Sequence, residues 1–204
     1  MPNNDLRPSS QNIRFVKDAF LQSGQLPSAW TEIYEKLPSA SFFLSPEWTK
    51  TWIEAYGSAF SGNYLIWSED GSAVAAALVL MKQGKFGPFR VRVAILNTSG
   101  EPEQDGVYIE YNDVLCLESA REAVQESLLK SLRSYRWDQL VFSGYSPDSL
   151  LADVVDKLGA RRAISKVVAC PFVDLAKVRQ SGLLTLLSKS TRSQIQRCSR
   201  LYEG

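Results

Sequence analysis

The run Ala73 to Met81 (AVAAALVLM) is the feature that most constrains how this chain of 204 residues can fold. The run is apolar throughout and lacks the two-residue alternation of a half-exposed strand, so we expect a strand buried on both faces. It is far shorter than the roughly 20 apolar residues that a membrane-spanning helix needs. A strand of this kind requires helices on both faces of its sheet, which predicts an α/β (α+β) fold.

The segments on either side of this run predict a three-stranded antiparallel meander. Asp70-Gly71 is typical of a tight hairpin turn between a strand at Tyr64 to Trp67 and the apolar run. Gly84 and Gly87-Pro88 then turn the chain into Phe89 to Leu96. That segment alternates Val or Ile with Arg or Ala, so we expect it to be half exposed.

Helical patterns precede and follow the meander. Ser45 followed by Pro46 marks a helix start, since serine is a favoured N-cap and proline a favoured first residue. The other predicted elements are a strand at Ile13 to Val16, a helix at Leu26 to Leu37, strand pieces at Val107 to Ile109 and Val114 to Leu117, a helix at Ala120 to Tyr135, a strand at Gln139 to Ser143, a helix at Ser149 to Leu158 closed by Gly159, and a strand at Ala163 to Val173. This order predicts a mixed, mostly antiparallel sheet flanked by helices.

The composition excludes several classes of site. The chain contains no histidine, which rules out Ser/His/Asp and Cys/His triads and the HExxH zinc site within it. Cys116, Cys170 and Cys198 are widely spaced, so neither a disulfide framework nor a CxxC metal site is indicated, and we expect no metal. The polar N-terminus lacks the apolar stretch of an export signal, and we expect a cytoplasmic protein with no membrane span.

The net charge of +1 conceals a segregation of charge along the chain. Glu101 to Asp113 contains five acids and no base, whereas Leu175 to Tyr202 contains six bases and no acid. Each block can also be interpreted as a solvated face with no further role.

The C-terminal stretch Leu186 to Gly204 has an amphipathic helical pattern. One helical face holds Leu183, Leu184, Leu187, Ile195, Cys198, Leu201 and Tyr202, and another holds Lys189, Arg192, Arg197 and Arg200. We expect this helix to begin a second domain. The alternatives are that it packs on its own domain, or that its cations contact nucleic acid or an anionic membrane.

Three stretches resemble a known family. They are Phe43 to Trp48 (FLSPEW), Asn97 to Pro102 (NTSGEP) leading to Asp105 and to Ile109 to Asn112 (IEYN), and Ser188 to Arg192 (SKSTR). Together with the element order they resemble the cellulose-biosynthesis-associated (CelD-like) branch of the GNAT-type N-acyltransferases, which is similar to the FemAB peptidyltransferases in joining two GNAT-like halves. The resemblance implies an N-terminal extension at residues 1–25, a first GNAT-like domain at 26–175, and at 176–204 a linker with the first basic helix of a second domain.

The resemblance implies acetyl-CoA or another acyl-CoA as cofactor. Such enzymes hold the pyrophosphate with a glycine-rich loop at the N-terminus of the helix after the third meander strand, where free N–H groups and the helix dipole favour an anion. Here that segment is Leu117 to Glu122 (LESARE), which has no glycine and two glutamates. We therefore expect the cofactor to be bound mainly by the second domain, with Lys189 and Arg192 as candidate contacts.

The acidic block supplies the candidate site. On a strand, Tyr108, Glu110 and Asn112 would point to one side, where they could bind a sugar hydroxyl or an amine or accept a proton. We assign Glu110 and Asp105 as candidate catalytic carboxylates and Glu101, Tyr108 and Asn112 as candidate substrate contacts. The alternative is an exposed polar strand face beside an acidic turn.

Two aromatic positions complete the list of candidates. Trp48, with Trp52 one helical turn further on, could line an acceptor pocket, although the same spacing is typical of a helix packed in the core. Tyr145 follows a predicted strand at the open end of a crossover, where ligands of α/β sheets often bind, although a plain turn between strand and helix is the simpler explanation.

These features favour an acyltransferase that moves an acyl group from acyl-CoA to an amine or hydroxyl acceptor, which the resemblance suggests is a polysaccharide or cell-envelope precursor. The expected partner is a small-molecule or glycan acceptor, and nucleic acid is not expected. The alternative is a non-enzymatic binding module whose basic C-terminal helix docks on an anionic or protein partner.

Overall fold

A computed structural model describes residues 13–19, 25–98, 109–159 and 173–202. The chain divides into two compact units, Met1–Ala160 and Arg161–Gly204. We call them unit 1 and unit 2 and describe each by itself.

Unit 1 is built on a sheet of six strands. They are β1 (Ile13–Ala19), β2 (Ser61–Glu69), β3 (Ser72–Phe86), β4 (Phe89–Leu96), β5 (Leu115–Cys116) and β6 (Gln139–Val141). The strand order is β1-β2-β3-β4-β6, and β5 pairs with β3. All pairings are antiparallel except the parallel pairing of β4 with β6. The predicted mixed, mostly antiparallel sheet is confirmed.

The α-helices that flank the sheet in the described residues of unit 1 are α1 (Ser28–Glu35), α2 (Pro46–Tyr56), α3 (Arg121–Ser134) and α4 (Leu150–Leu158). The predicted caps Ser45 and Gly159 are confirmed, and Ser149, predicted as the first residue of a helix, is the N-cap of α4. The Ser45 hydroxyl accepts a hydrogen bond from the Trp48 N–H at 3.1 Å, and the Ser149 hydroxyl accepts one from the Ala152 N–H at 3.1 Å. Gly159 ends α4 in the left-handed conformation, with φ 67°.

Two hydrophobic cores lie on the two faces of β2 and β3. On one face, Leu78 and Leu80 belong to a cluster with Trp30 of α1 and Trp52 of α2. On the other face, Ala77 and Val79 belong to a cluster with residues of α3 and α4, including Val124, Leu128, Leu132 and Val154. Residues 73–80 are all buried, so the predicted strand with two buried faces is confirmed.

Three strand predictions are wrong in detail. Gly84 does not turn the chain but lies within β3, which continues to Phe86. The last four residues of β4 are all buried instead of half exposed, because this end of the strand lies between β3 and β6 and contributes to both cores. Ile109 is not in a strand; Val107 and residues 163–172 of the last predicted strand lie outside the described residues.

In the described part of unit 2 the helices are α5 (Leu175–Ser181), α6 (Leu183–Leu186) and α7 (Lys189–Tyr202). The prediction of a continuous helix through Leu183 is wrong. Leu187 is extended, and the Ser188 hydroxyl accepts a hydrogen bond from the Thr191 N–H at 3.2 Å, which starts α7 as a new helix. Among the described residues of this unit none is buried.

No helix in the described ranges has both the length and the apolar content to cross a bilayer. The same ranges contain no group of His, Cys, Asp and Glu side chains arranged to hold a metal ion.

Candidate functional site

The third meander strand is interrupted at Asn97. β4 and β5 pair with the same edge of β3, and the chain leaves the sheet between them. Asn97 has φ 57°, and its N–H donates to the Leu78 carbonyl at 2.7 Å. Its side-chain Oδ1 accepts from the Leu78 N–H at 2.9 Å. The Asn97 side chain therefore replaces the strand partner that Leu78 would otherwise lack.

Asn112 fastens the two ends of this interruption together. Its Oδ1 accepts from Asn97 Nδ2 at 2.8 Å, and its own Nδ2 donates to the carbonyls of Leu96 at 3.3 Å and Ser143 at 3.0 Å. Its N–H donates to the Gly144 carbonyl at 2.9 Å. Because Asn112 is only 1% exposed, its amide joins the end of β4 to the segment that follows β6.

Asp113 places a carboxylate at the N-terminus of α4. Its Oδ1 accepts from the N–H groups of Val114 at 2.8 Å and Leu151 at 3.1 Å, and its Oδ2 accepts from the Leu150 N–H at 3.1 Å. Burial raises the pKa of Asp113, and this effect outweighs the opposite influence of the three N–H groups and of the Arg121 charge. A carboxylate offers about four lone-pair positions, so these three bonds leave one on Oδ2.

Asn112 and Asp113 form the floor of an open groove of about 400 Å³. Residues of the α1–α2 loop form one wall and Ser146 and Ser149 the other. The Ser41 hydroxyl, on the first wall, donates to the Glu110 carbonyl at 3.1 Å. The complete described lining is Leu37, Ser39, Ala40, Ser41, Leu44, Tyr111, Asn112, Asp113, Val114, Leu115, Cys116, Ser146 and Ser149. Its volume and its mixture of apolar and hydroxyl groups suit a small polar ligand.

The structure separates the predicted site residues Glu110 and Asn112. Tyr111 between them has φ 52°, which breaks the strand alternation on which their common face depended. Asn112 is buried in the groove floor, whereas Glu110 is exposed and does not belong to the described lining. The exposed Tyr111 lines the groove instead.

The remaining members of the acidic block, Glu101, Asp105 and Tyr108, lie outside the described residues. Their assignment as catalytic or substrate-binding residues stays a prediction.

The aromatic candidates lie apart from the groove lining that the structure describes. Trp48 is partly exposed, stacks edge-to-face on Phe43 with ring centroids 4.8 Å apart, and donates through Nε1 to Thr98 Oγ1 at 3.1 Å. Trp52 is buried in the first core. Tyr145 is partly buried against the second core.

The N-terminus of α3 is acidic, as its sequence predicts. A turn of 3₁₀ helix at Glu118–Ala120 leads into the helix, and Glu122 lies in the first helical turn. Arg121 donates to Asp153 Oδ2 at 2.9 Å, so its charge is already paired. Glutamates here oppose the binding of a phosphate by the helix dipole.

The two candidate cofactor contacts lie in unit 2. Lys189 and Arg192 lie in the first turns of α7, where Lys189 is exposed and Arg192 partly exposed. Their role in binding acyl-CoA stays a prediction.

Neither Asp113 nor Asn97 was among the predicted site residues. A signal for Asp113 was present, since this carboxylate directly precedes apolar Val114 and Leu115 and was therefore a candidate for burial. Asn97 had a weaker signal: an asparagine after a buried strand tolerates the left-handed conformation.

No protein-family model and no curated protein matches this chain. Similar solved structures include a mutant of the BH1408 protein from Bacillus halodurans, at 11% identity and a TM-score of 0.44 over 78% of this chain and 99% of that chain. Another is described as a probable acetyltransferase, at 15% identity and a TM-score of 0.42 over 79% of this chain and 99% of that chain. Neither likeness assigns this chain to a family.

Proposed function

We propose that this chain belongs to a GNAT-type acyltransferase that transfers an acyl group from acyl-CoA to an amine or hydroxyl acceptor, and that the groove holds the acceptor. The observation that carries the proposal is the Asp113 carboxylate in the groove floor, with a raised pKa and a lone pair free on Oδ2. The resemblance of the sequence to the cellulose-associated branch supports a glycan or cell-envelope precursor as the acceptor.

The chemistry of acyl transfer fits this arrangement. An attacking amine or hydroxyl would lose its proton as it bonds to the thioester carbonyl carbon, and the C–S bond would break to release CoA, whose thiolate would take up a proton. A carboxylate with a raised pKa accepts the proton of the nucleophile better than an ordinary one. Asp113 Oδ2 would accept the hydrogen bond from the nucleophile, and the hydroxyls of Ser39 and Ser146 would orient the rest of the acceptor.

The acyl donor is proposed to bind outside unit 1. The acidic first turn of α3 and the pairing of Arg121 with Asp153 remove the usual features of a pyrophosphate site at that helix end. Calorimetry of the 204-residue chain with acetyl-CoA should show no saturable binding at micromolar concentrations. Stoichiometric micromolar binding that Lys189→Glu/Arg192→Glu leaves unchanged would contradict this part of the proposal.

Binding of acceptors is tested by saturation-transfer NMR with glucosamine, and with glucose as the uncharged comparison. Asp113→Asn removes the charge with little change in shape and should abolish the glucosamine signal. Asp156→Asn makes the same chemical change at an exposed position of α4, the helix at whose N-terminus Asp113 lies, and should retain the signal.

A second groove variant separates loss of ligand binding from loss of folding. Ser39 is exposed, so Ser39→Trp obstructs the groove without entering the core and should also abolish the signal. Equal glucosamine signals in the wild type and in both groove variants would refute the assignment of the groove. The absence of a signal with the wild-type chain would also count against it.

A second candidate function, a binding module, rests on α7. This helix carries four bases and no acid, and it exposes the apolar side chains of Ile195, Leu201 and Tyr202. A basic amphipathic helix suits an anionic partner. Binding of the chain to heparin should weaken with salt and be lost in Arg192→Glu/Arg197→Glu; retention of binding in that variant would contradict this function.

A further inference from the structure

The β3–β4 hairpin extends well beyond the rest of the sheet. β2 pairs with β3 only as far as Met81, and β6 pairs with β4 only from Val93. Residues 82–92, which we call the ribbon, therefore have no strand beside them in the described part of the chain. At about 3.4 Å per residue the ribbon projects roughly 15 Å.

The tip of the ribbon is aromatic and exposed. Phe86 and Phe89 are cross-strand partners on either side of Gly87-Pro88, with 62% and 69% of their surfaces exposed. Gly87 has φ 59°, as the first central residue of a tight type II′ turn requires. Cross-strand partners point to the same face, so the two phenyl groups form one apolar end.

The ribbon is also strongly basic. Lys82, Lys85, Arg90 and Arg92 lie on it with no acid among residues 82–92. Arg92 is neutralised by Asp138, with Nε 3.1 Å from Oδ2, whereas Lys85 and Arg90 are exposed. These two are direct cross-strand partners, and like charges in that arrangement destabilise a hairpin. An anionic partner would relieve that repulsion.

We propose that the ribbon docks this protein on an anionic lipid bilayer, with Phe86 and Phe89 in the interface and Lys85 and Arg90 on the headgroups. The phenyl groups leave water for the acyl boundary, while the flexible basic side chains reach the phosphates beside the inserted tip. This surface is independent of the groove and of its proposed function.

The placement of the side chains favours lipid over nucleic acid. Lys85 and Arg90 each adjoin a phenylalanine in sequence, so they point to the opposite face of the ribbon from the rings. A nucleotide stacked on a ring would have its phosphate on the face opposite Lys85 and Arg90. Proteins that bind single-stranded nucleic acids instead carry aromatic rings and cations on the same surface. When the tip is inserted into a bilayer, lipid headgroups lie beside both faces of the ribbon.

The experiment is co-sedimentation of the 204-residue chain with vesicles of phosphatidylcholine containing about 30% phosphatidylserine, and with pure phosphatidylcholine. We expect binding to the anionic vesicles only. Phe86→Ser/Phe89→Ser and Lys85→Glu/Arg90→Glu should each weaken it about tenfold or more, because each removes one half of the contact.

Matched controls make the same changes away from the ribbon. Phe42→Ser removes another strongly exposed phenylalanine, and Lys50→Glu/Lys130→Glu reverses two exposed charges on α2 and α3. Both should bind anionic vesicles like the wild type. Circular dichroism of each variant checks its folding, which is expected to be unchanged because every altered side chain is exposed.

Several results would overturn the proposal. One is the absence of binding to phosphatidylserine vesicles at low salt. Another is binding that survives both ribbon variants but is lost in Arg192→Glu/Arg197→Glu, which would assign the contact to α7. Tighter binding to an oligouridine RNA than to vesicles, lost in the same ribbon variants, would identify a nucleic-acid surface.

Discussion

Replacing Asn112 by alanine tests whether its side chain stabilises the fold or contacts a ligand. Its side chain makes three hydrogen bonds in a site that is 1% exposed. Truncation leaves the carbonyls of Leu96 and Ser143 without this donor, and it removes one of two acceptors of Asn97 Nδ2. At about 1 kcal/mol for each lost bond, the free energy of unfolding should fall by about 3 kcal/mol.

Urea unfolding of the 204-residue chain, followed by circular dichroism and tryptophan fluorescence, measures this loss. Because domains are typically stable by about 5–15 kcal/mol, a change of this size is readily resolved. Asn112→Asp should destabilise at least as much, since it turns an oxygen toward the two carbonyls and places a charge in a buried site. Gln83→Ala, at an exposed position, should change stability by less than about 0.5 kcal/mol.

A loss of less than about 0.5 kcal/mol in Asn112→Ala would refute the reasoning. So would an Asn112→Asp variant as stable as the wild type. Either result would show that the amide network does not hold the two ends of the interruption together, and would reopen the role of Asn112 as a ligand contact.

Three further predictions concern the groove and the cysteines. Burial raises the pKa of Asp113, so its protonation stabilises the fold fully below the ordinary aspartate pKa of about 4, and this contribution is lost as pH rises through the raised pKa. In urea titrations the free energy of unfolding of the wild type, relative to that of Asp113→Asn, should therefore fall as pH rises over that range. A difference that stays constant with pH would contradict the burial of Asp113. Ser149→Ala should lower the free energy of unfolding by about 1 kcal/mol through loss of the α4 cap, and an unchanged urea midpoint would show that Asp113 alone suffices. Burial raises the pKa of the partly buried Cys116 to about 12, so mass-spectrometric mapping at pH 8 should find iodoacetamide on exposed Cys198 long before Cys116, whereas equal labelling of the two would contradict this difference in exposure.

Elements specified by local backbone chemistry were predictable from the sequence. Ser45-Pro46 begins α2 because the serine hydroxyl and the proline φ act within one helical turn. Asp70 and Gly71 both adopt positive φ, as the turn between β2 and β3 requires. The run at 73–80 is buried on both faces because no residue in it offers a polar side to water.

The site was predictable only in part. The acidic block marked out by the sequence ends at Asp113, which lies in the groove floor, whereas the predicted Glu110 is exposed and does not belong to the described lining. The reason is the positive φ of Tyr111, which breaks the alternation of side chains between the two faces of a strand. The order of residue types along the sequence does not reveal this break.

The sequence by itself determined the fold class, the caps and the turns of this protein, because these depend on interactions within a few residues. It also determined the absence of histidine chemistry from this chain and the segregation of its charges. Only the tertiary structure decided that β4 and β5 share an edge of β3, that Asn97 and Asn112 close the break between them, and that the ribbon extends beyond the paired parts of β2 and β6. These features depend on which segments pair across long separations in sequence, and pairing over such distances is set by how the whole sheet buries its two faces.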